Sequence, residues 1–132
     1  VNADMHGRAV GVNDPYVDLA AEVFGVLADA TRIRIILALH AGEMAVNELA
    51  GKVGKTPAGV SQHLAKLRWA RMVATRQDGT RVFYRLTDEH ARKLVADAVF
   101  QAEHAVDEGP AHHRAIQFPT PTSSSDHPDG AV

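Results

Sequence analysis

Two dipeptides constrain this chain more than anything else in it: Thr56-Pro57 and Asp78-Gly79. Threonine caps helices and proline is tolerated only in a helix's first turn, so a helix must begin at Pro57. Val60, Leu64 and Leu67 then repeat at i, i+4 and i+7 and give that helix one apolar stripe. An Asp-Gly pair between the strand-like runs 73–77 and 80–86 predicts a β-hairpin closed by a type I′ turn, with positive φ at both Asp78 and Gly79. Alternation along the second run places Val82, Tyr84 and Leu86 on one side and Arg81, Phe83 and Arg85 on the other. Upstream, Val46, Leu49, Ala50 and Val53 are spaced for burial on a short helix that Gly54 ends. Two short helices joined by a tight turn, followed at once by an arginine-bearing hairpin, describe a winged helix-turn-helix.

The flanking segments read as scaffold. A first helix is expected from Asp14 as N-cap and Pro15 as first residue, with Leu19, Val23, Val26 and Leu27 inward. Asp29 or Thr31 opens a second, buried through Ile33, Ile36, Leu37 and Leu39 and stopped by Gly42. A last helix starts at Thr87 or Asp88 and runs to about Ala105, with Ala91, Leu94, Val95, Ala98 and Ala102 on one face; Gly109-Pro110 forbids its continuation. The expected organisation is a flexible arm over 1–13, a DNA-binding and dimerisation domain over 14–106, and a flexible histidine-containing tail over 107–132. The fold class is mainly α with a β-hairpin wing, homodimeric through its terminal helices.

A length of 132 residues suits one core and excludes a large multidomain enzyme. No apolar run approaches the roughly 18 residues of a membrane span, and no charged-then-apolar leader opens the chain, so a cytoplasmic location without membrane contact is expected. Cysteine is absent, which removes disulfides, thiolate nucleophiles and thiolate metal sites together. Any metal must sit on nitrogen and oxygen. The net charge of −2 conceals a division: residues 52–85 hold eight basic side chains against Asp78 alone, a net +7, and the remainder carries −9. A strongly basic stretch in an acidic protein marks a phosphate-binding surface.

That stretch contains the capped helix. Ala58, Ser61, Gln62 and Ala65 lie opposite its apolar stripe, where a helix in the major groove meets base edges. Gln62 suits bidentate pairing with adenine and Ser61 bonds several edges, so these two are the expected base readers, with Thr56 and Ala58 on the same surface. Lys55, Lys66 and Arg68 are expected on phosphates, and Arg76 and Arg81 of the wing on backbone or minor groove. His63 falls on the core side, where a structural histidine is favoured over a base reader, and Trp69 is read as a packing residue in preference to a stacking platform. One winged helix reads few base pairs, so a homodimer on a palindromic double-stranded operator is expected.

Five of the eight histidines follow residue 86: His90, His104, His112, His113 and His127. In a helix, His90 and His104 are separated by about 1400° of rotation, some 40° short of four turns, and by a rise of about 21 Å. They face one way but cannot share an ion whose bonds are near 2 Å long. Two antiparallel copies of the helix can bring His90 of one protomer opposite His104 of the other. Glu103 adds an oxygen, and His112 and His113 further nitrogens once the chain turns at Gly109-Pro110. Such a mixed set of up to five donors suits nickel or cobalt as effector better than tetrahedral zinc, which stays open. Asp88 is at least as suited to capping the helix as to binding metal, and His6 of the arm is a lesser candidate ligand that can visit the site although nothing positions it there.

The segment 27–32, the stretch Val60-Ser61-Gln62-His63-Leu64-Ala65-Lys66-Leu67 and the wing 79–86 together resemble the ArsR/SmtB family of metal-responsive repressors, over about residues 20–113. Segments 88–90, 100–104 and 112–114 are similar to its nickel- and cobalt-responsive members. The resemblance implies a homodimer that binds its operator without metal and is released by nickel or cobalt, derepressing metal efflux. It also implies ligands at His90, Glu103, His104, His112 and His113. Arsenic-type members carry a cysteine pair where this chain has Asn47-Glu48-Leu49, and Gln101 stands at a position that the zinc pattern gives to a ligand. Two rival readings are a winged-helix repressor answering a non-metal signal and a hydrolytic metal site. The latter lacks a general base beside an enclosed pocket and leaves the basic stretch unexplained, so the chain is read as no enzyme.

Overall fold

The computed structural model describes residues 9–107. Helices α1 (Val17–Leu27) and α2 (Ala30–His40) lead into a two-residue strand β1 (Met44–Ala45). Then come α3 (Val46–Val53), α4 (Pro57–Trp69), β2 (Val73–Asp78), β3 (Arg81–Leu86) and α5 (His90–Val106). The three strands form one antiparallel sheet in the order β1-β3-β2. This is a winged helix-turn-helix. The chain divides into two compact units, one ending at Val95 and one starting at Ala96, the second described only through the C-terminal turns of α5.

In the first unit Ile35, Ile36, Leu49, Val60, Leu64 and Leu67 are fully excluded from solvent, and Leu27, Leu39, Val73, Ala91 and Val95 join the same cluster. The stripe anticipated on α4 is therefore the centre of the core. On α2 the buried set is Ile35, Ile36 and Leu39, with Ile33 partly buried. Leu37, expected inside, is 41% exposed, because it lies a further 100° round from Ile36 and outside the arc those residues share. On α5 Ala91 and Val95 are buried as expected, whereas Leu94, Ala98 and Ala102 are exposed in this single chain.

Three boundaries depart from the sequence expectation for local reasons. The Asp14 carboxylate accepts from the Tyr16 N–H at 2.8 Å, and Val17 N–H donates to the Asp14 carbonyl at 3.1 Å, forming a turn with Pro15 inside it. The helix therefore begins at Val17. At the far end Asp88 Oδ1 accepts from His90 N–H at 2.9 Å, and the Thr87 hydroxyl donates to the Arg71 carbonyl at 2.9 Å, so α5 starts at His90. In the hairpin Asp78 pairs with Arg81, which leaves Gly79-Thr80 as the central pair. Among these only Gly79 has positive φ (67°), the type II′ pattern in place of the expected type I′.

Asp29 is the N-cap of α2 and accepts from Arg32 N–H at 3.0 Å. That bond is the main reason its carboxyl titrates below the ordinary carboxylate value, with a smaller contribution from the Arg32 charge. A lowered folded-state pKa means the stabilisation is present at neutral pH and disappears as acidification protonates the folded carboxyl. Asp29→Ala is expected to cost about 1 kcal/mol at neutral pH. Urea melts should show the gap to the unsubstituted protein closing at low pH; a gap constant with pH would contradict the assignment.

Candidate nucleic-acid interface and metal-ligand residues

The turn between α3 and α4 is made by backbone. Gly54 takes φ of 71°, and the N–H groups of Gly54 and Lys55 both reach the Ala50 carbonyl, at 2.9 and 3.2 Å. Thr56 Oγ1 accepts from Gly59 N–H at 3.1 Å and Pro57 occupies the first helical position, as the sequence predicts. With Val60, Leu64 and Leu67 sealed inside, Ala58, Ser61, Gln62, Ala65 and Lys66 are all exposed on the outward side of α4. Lys55 and Thr56 are exposed beside them at the helix start, where the unpaired N–H groups and the dipole favour anions. Arg68 is exposed in the last turn. The expected reading surface is thus one contiguous helical face.

His63 lies about 60° from the core stripe and is half-buried, and its Nδ1 accepts from Arg32 Nε at 3.1 Å. Arg32 also donates through Nη1 to the Val26 carbonyl at 2.9 Å. One guanidinium therefore links the end of α1, the start of α2 and the middle of α4, and His63 is structural. Arg32 was not anticipated from sequence; the three-residue spacing from Asp29 was the available hint. Trp69 departs from its expectation as a packing residue: it is 80% exposed, beside a surface groove also lined by Val26 and Ala65. Two residues past Leu67 is 200° round the helix, which carries Trp69 to the side of Gln62 and away from the core.

The wing arginines differ from one another. Arg76 on β2 donates from Nε to Glu43 Oε1 at 3.0 Å and has Asp78 Oδ2 at 3.9 Å. The bond from Arg76 holds the Glu43 carboxyl below its ordinary value, and Glu43 in turn raises Arg76. Arg76 and Arg81 both stand over the Phe83 ring, 4.9 and 4.8 Å from its centre. Glu43 was missed from sequence because its partner lies 33 positions away.

Of the residues expected from sequence to bind metal, His90 is exposed at the first position of α5, and Glu103 and His104 are exposed near its end. Asp88 has Oδ1 committed to the His90 N–H, which is the cap-like use. Among the described residues no three His, Asp or Glu side chains come together in a way that could hold an ion. His6, His112 and His113 lie outside the described residues.

Residues 29–75 match the model of a bacterial regulatory protein family, the arsR family. The chain is 61% identical over 102 residues to the HTH-type transcriptional regulator KmtR of Mycobacterium tuberculosis, covering 77% of this chain and 78% of that protein. The chain belongs to the ArsR family. A second ArsR-type relative is the HTH-type transcriptional repressor SmtB of M. tuberculosis, 38% identical over 65% of this chain and 64% of its own length. In structure, the chain matches the homodimeric winged helix-turn-helix DNA-binding domain of a candidate ArsR-family regulator from Mycobacterium bovis, with a TM-score of 0.63 and 28% identity. That match covers 77% of this chain and 97% of that one. ArsR-family members are transcriptional regulators and not enzymes. No described helix is long and apolar enough to cross a membrane.

Proposed function

We propose that this ArsR-family chain is a metal-sensing repressor that binds operator DNA as a homodimer in the metal-free state and releases it when nickel or cobalt binds, with zinc kept as an alternative effector, so that a metal-efflux gene is derepressed. The observation that carries the DNA half is the outward face of α4, polar and basic above a wholly buried stripe. Ser61 and Gln62 read base edges there, Lys55 and Thr56 meet a phosphate at the helix start, Ala58 permits close approach, and Lys66 and Arg68 hold the backbone. The homodimeric M. bovis relative supports a twofold arrangement. The functional unit is residues 14–106, with the arm and tail attached.

For the effector half the support is the donor chemistry. The chain has no cysteine, and His90 and His104 lie fourteen residues apart on one helix, so a second α5 must complete the site. His90 of one protomer and His104 of the partner subunit close it across the dyad, Glu103 contributes oxygen, and His112 and His113 fill the remaining positions. Bound metal supplies a cross-link between the paired helices. The two recognition helices then no longer match successive grooves.

Metal and DNA must weaken each other equally, by a coupling of about 1–3 kcal/mol, or roughly 5–150-fold in affinity. Anisotropy titrations of a labelled duplex, selected from a random pool by the metal-free protein, should show that loss with nickel or cobalt and less with zinc. Cobalt absorption spectra should report more than four ligands. Equal DNA affinity with and without each metal would end the sensor reading.

A further inference from the structure

Of the three arginines on the wing strands, Arg76 and Arg81 share one ring but sit in opposite electrostatic settings. Arg76 is paired with the Glu43 carboxylate on one side and has Asp78 on another and Phe83 beneath. The register explains why. Phe83 on the central strand is opposite Ala45 on one side and Arg76 on the other, so an arm from Glu43, just before β1, reaches across β3 to Arg76. Arg81 shares the same ring, yet among the described residues no carboxylate forms an ion pair with it, although Asp78 is its partner in the strand register. Both guanidiniums are in reach of solvent, so sequence alone makes them equivalent phosphate contacts.

We propose that Glu43 is an internal substitute for phosphate, which keeps Arg76 on the sheet as the support of Phe83 and leaves Arg81 as the wing residue that engages the DNA backbone. Arg76 and Glu43 are positioning residues; Arg81 is the contact. Moving Arg76 to a phosphate would exchange one anion for another and strand the Glu43 carboxylate beside the backbone, so the pair stays closed on binding. The inference rests on the DNA-binding reading above.

The test uses the full chain and a fluorescein-labelled random-sequence duplex, with affinity measured across a salt series, because the slope counts phosphates neutralised and does not respond to a merely structural change. Arg81→Gln should flatten the slope by about one unit per wing. Arg76→Gln should leave it unaltered. Glu43→Gln should steepen it by about one unit per wing as Arg76 is released, and the double variant Glu43→Gln/Arg76→Gln should return it to the original value. A thermal melt of each variant confirms that it is folded. Flattening by Arg76→Gln equal to that by Arg81→Gln, or no steepening in Glu43→Gln, overturns the proposal while DNA binding itself stands. Failure of the unsubstituted protein to bind the duplex would remove the DNA-binding reading, and the proposal with it.

Discussion

Leu64→Ala is expected to lower folding stability by about 2–5 kcal/mol, the range for deleting three carbons from a sealed core site. Leu64 has no exposed surface and sits between Val60 and Leu67, which have none either, so the lost side chain leaves a cavity that the α4 backbone, held by the Thr56 cap and the closed turn after Ala50, cannot collapse to fill. A domain of this size has about 5–15 kcal/mol in total. The melting temperature should therefore fall by about 10–30 °C at fixed protein concentration. DNA binding should weaken in step with the folded fraction, since Ser61 and Gln62 ride on the outer side of the same helix. Ala65→Ser, one residue on and facing solvent, is the control and should change stability by less than about 0.5 kcal/mol. A cost below about 1 kcal/mol for Leu64→Ala would mean that α4 is not seated as described.

What was legible in the sequence is what is encoded within a few residues. The Thr56-Pro57 start, the Gly54 stop and the Val60/Leu64/Leu67 stripe are local, and the outward face that contains Ser61 and Gln62 follows from them by helical rotation alone. The hairpin was legible in kind but displaced in its turn by one residue, because Gly79 can serve as either central position and only pairing with a neighbouring strand chooses. That neighbour, β1, could not be seen: two residues carry no periodicity, and they pair with Phe83 and Tyr84 nearly forty positions away. A separation of 33 positions from Arg76 hid Glu43 in the same way. Trp69 misled for a different reason, since residue type suggested burial where angle round the helix, which puts it with Gln62, argued against it.

The second large effect separates the two halves of the proposed function. His104→Ala should reduce the ratio of metal-free to nickel-loaded DNA affinity from the range of 5–150-fold to about one. Its metal-free affinity should stay within about twofold, because His104 is exposed on α5 and substitutions at exposed positions usually cost little. Gln62→Ala should do the reverse. Loss of a bidentate base contact costs about 1–3 kcal/mol at one base pair, while nickel titration of the free protein should be unchanged. Linkage makes the pair of experiments stricter than either alone: if the metal acts through DNA affinity, then DNA must weaken metal binding by the same factor, and His104→Ala must erase both. A variant that lost metal binding yet kept metal-dependent release would place the ligands elsewhere. One that bound DNA poorly without metal would make His104 a structural residue of the dimer and no sensor, because a ligand that only closes an ion site has no part in the metal-free complex.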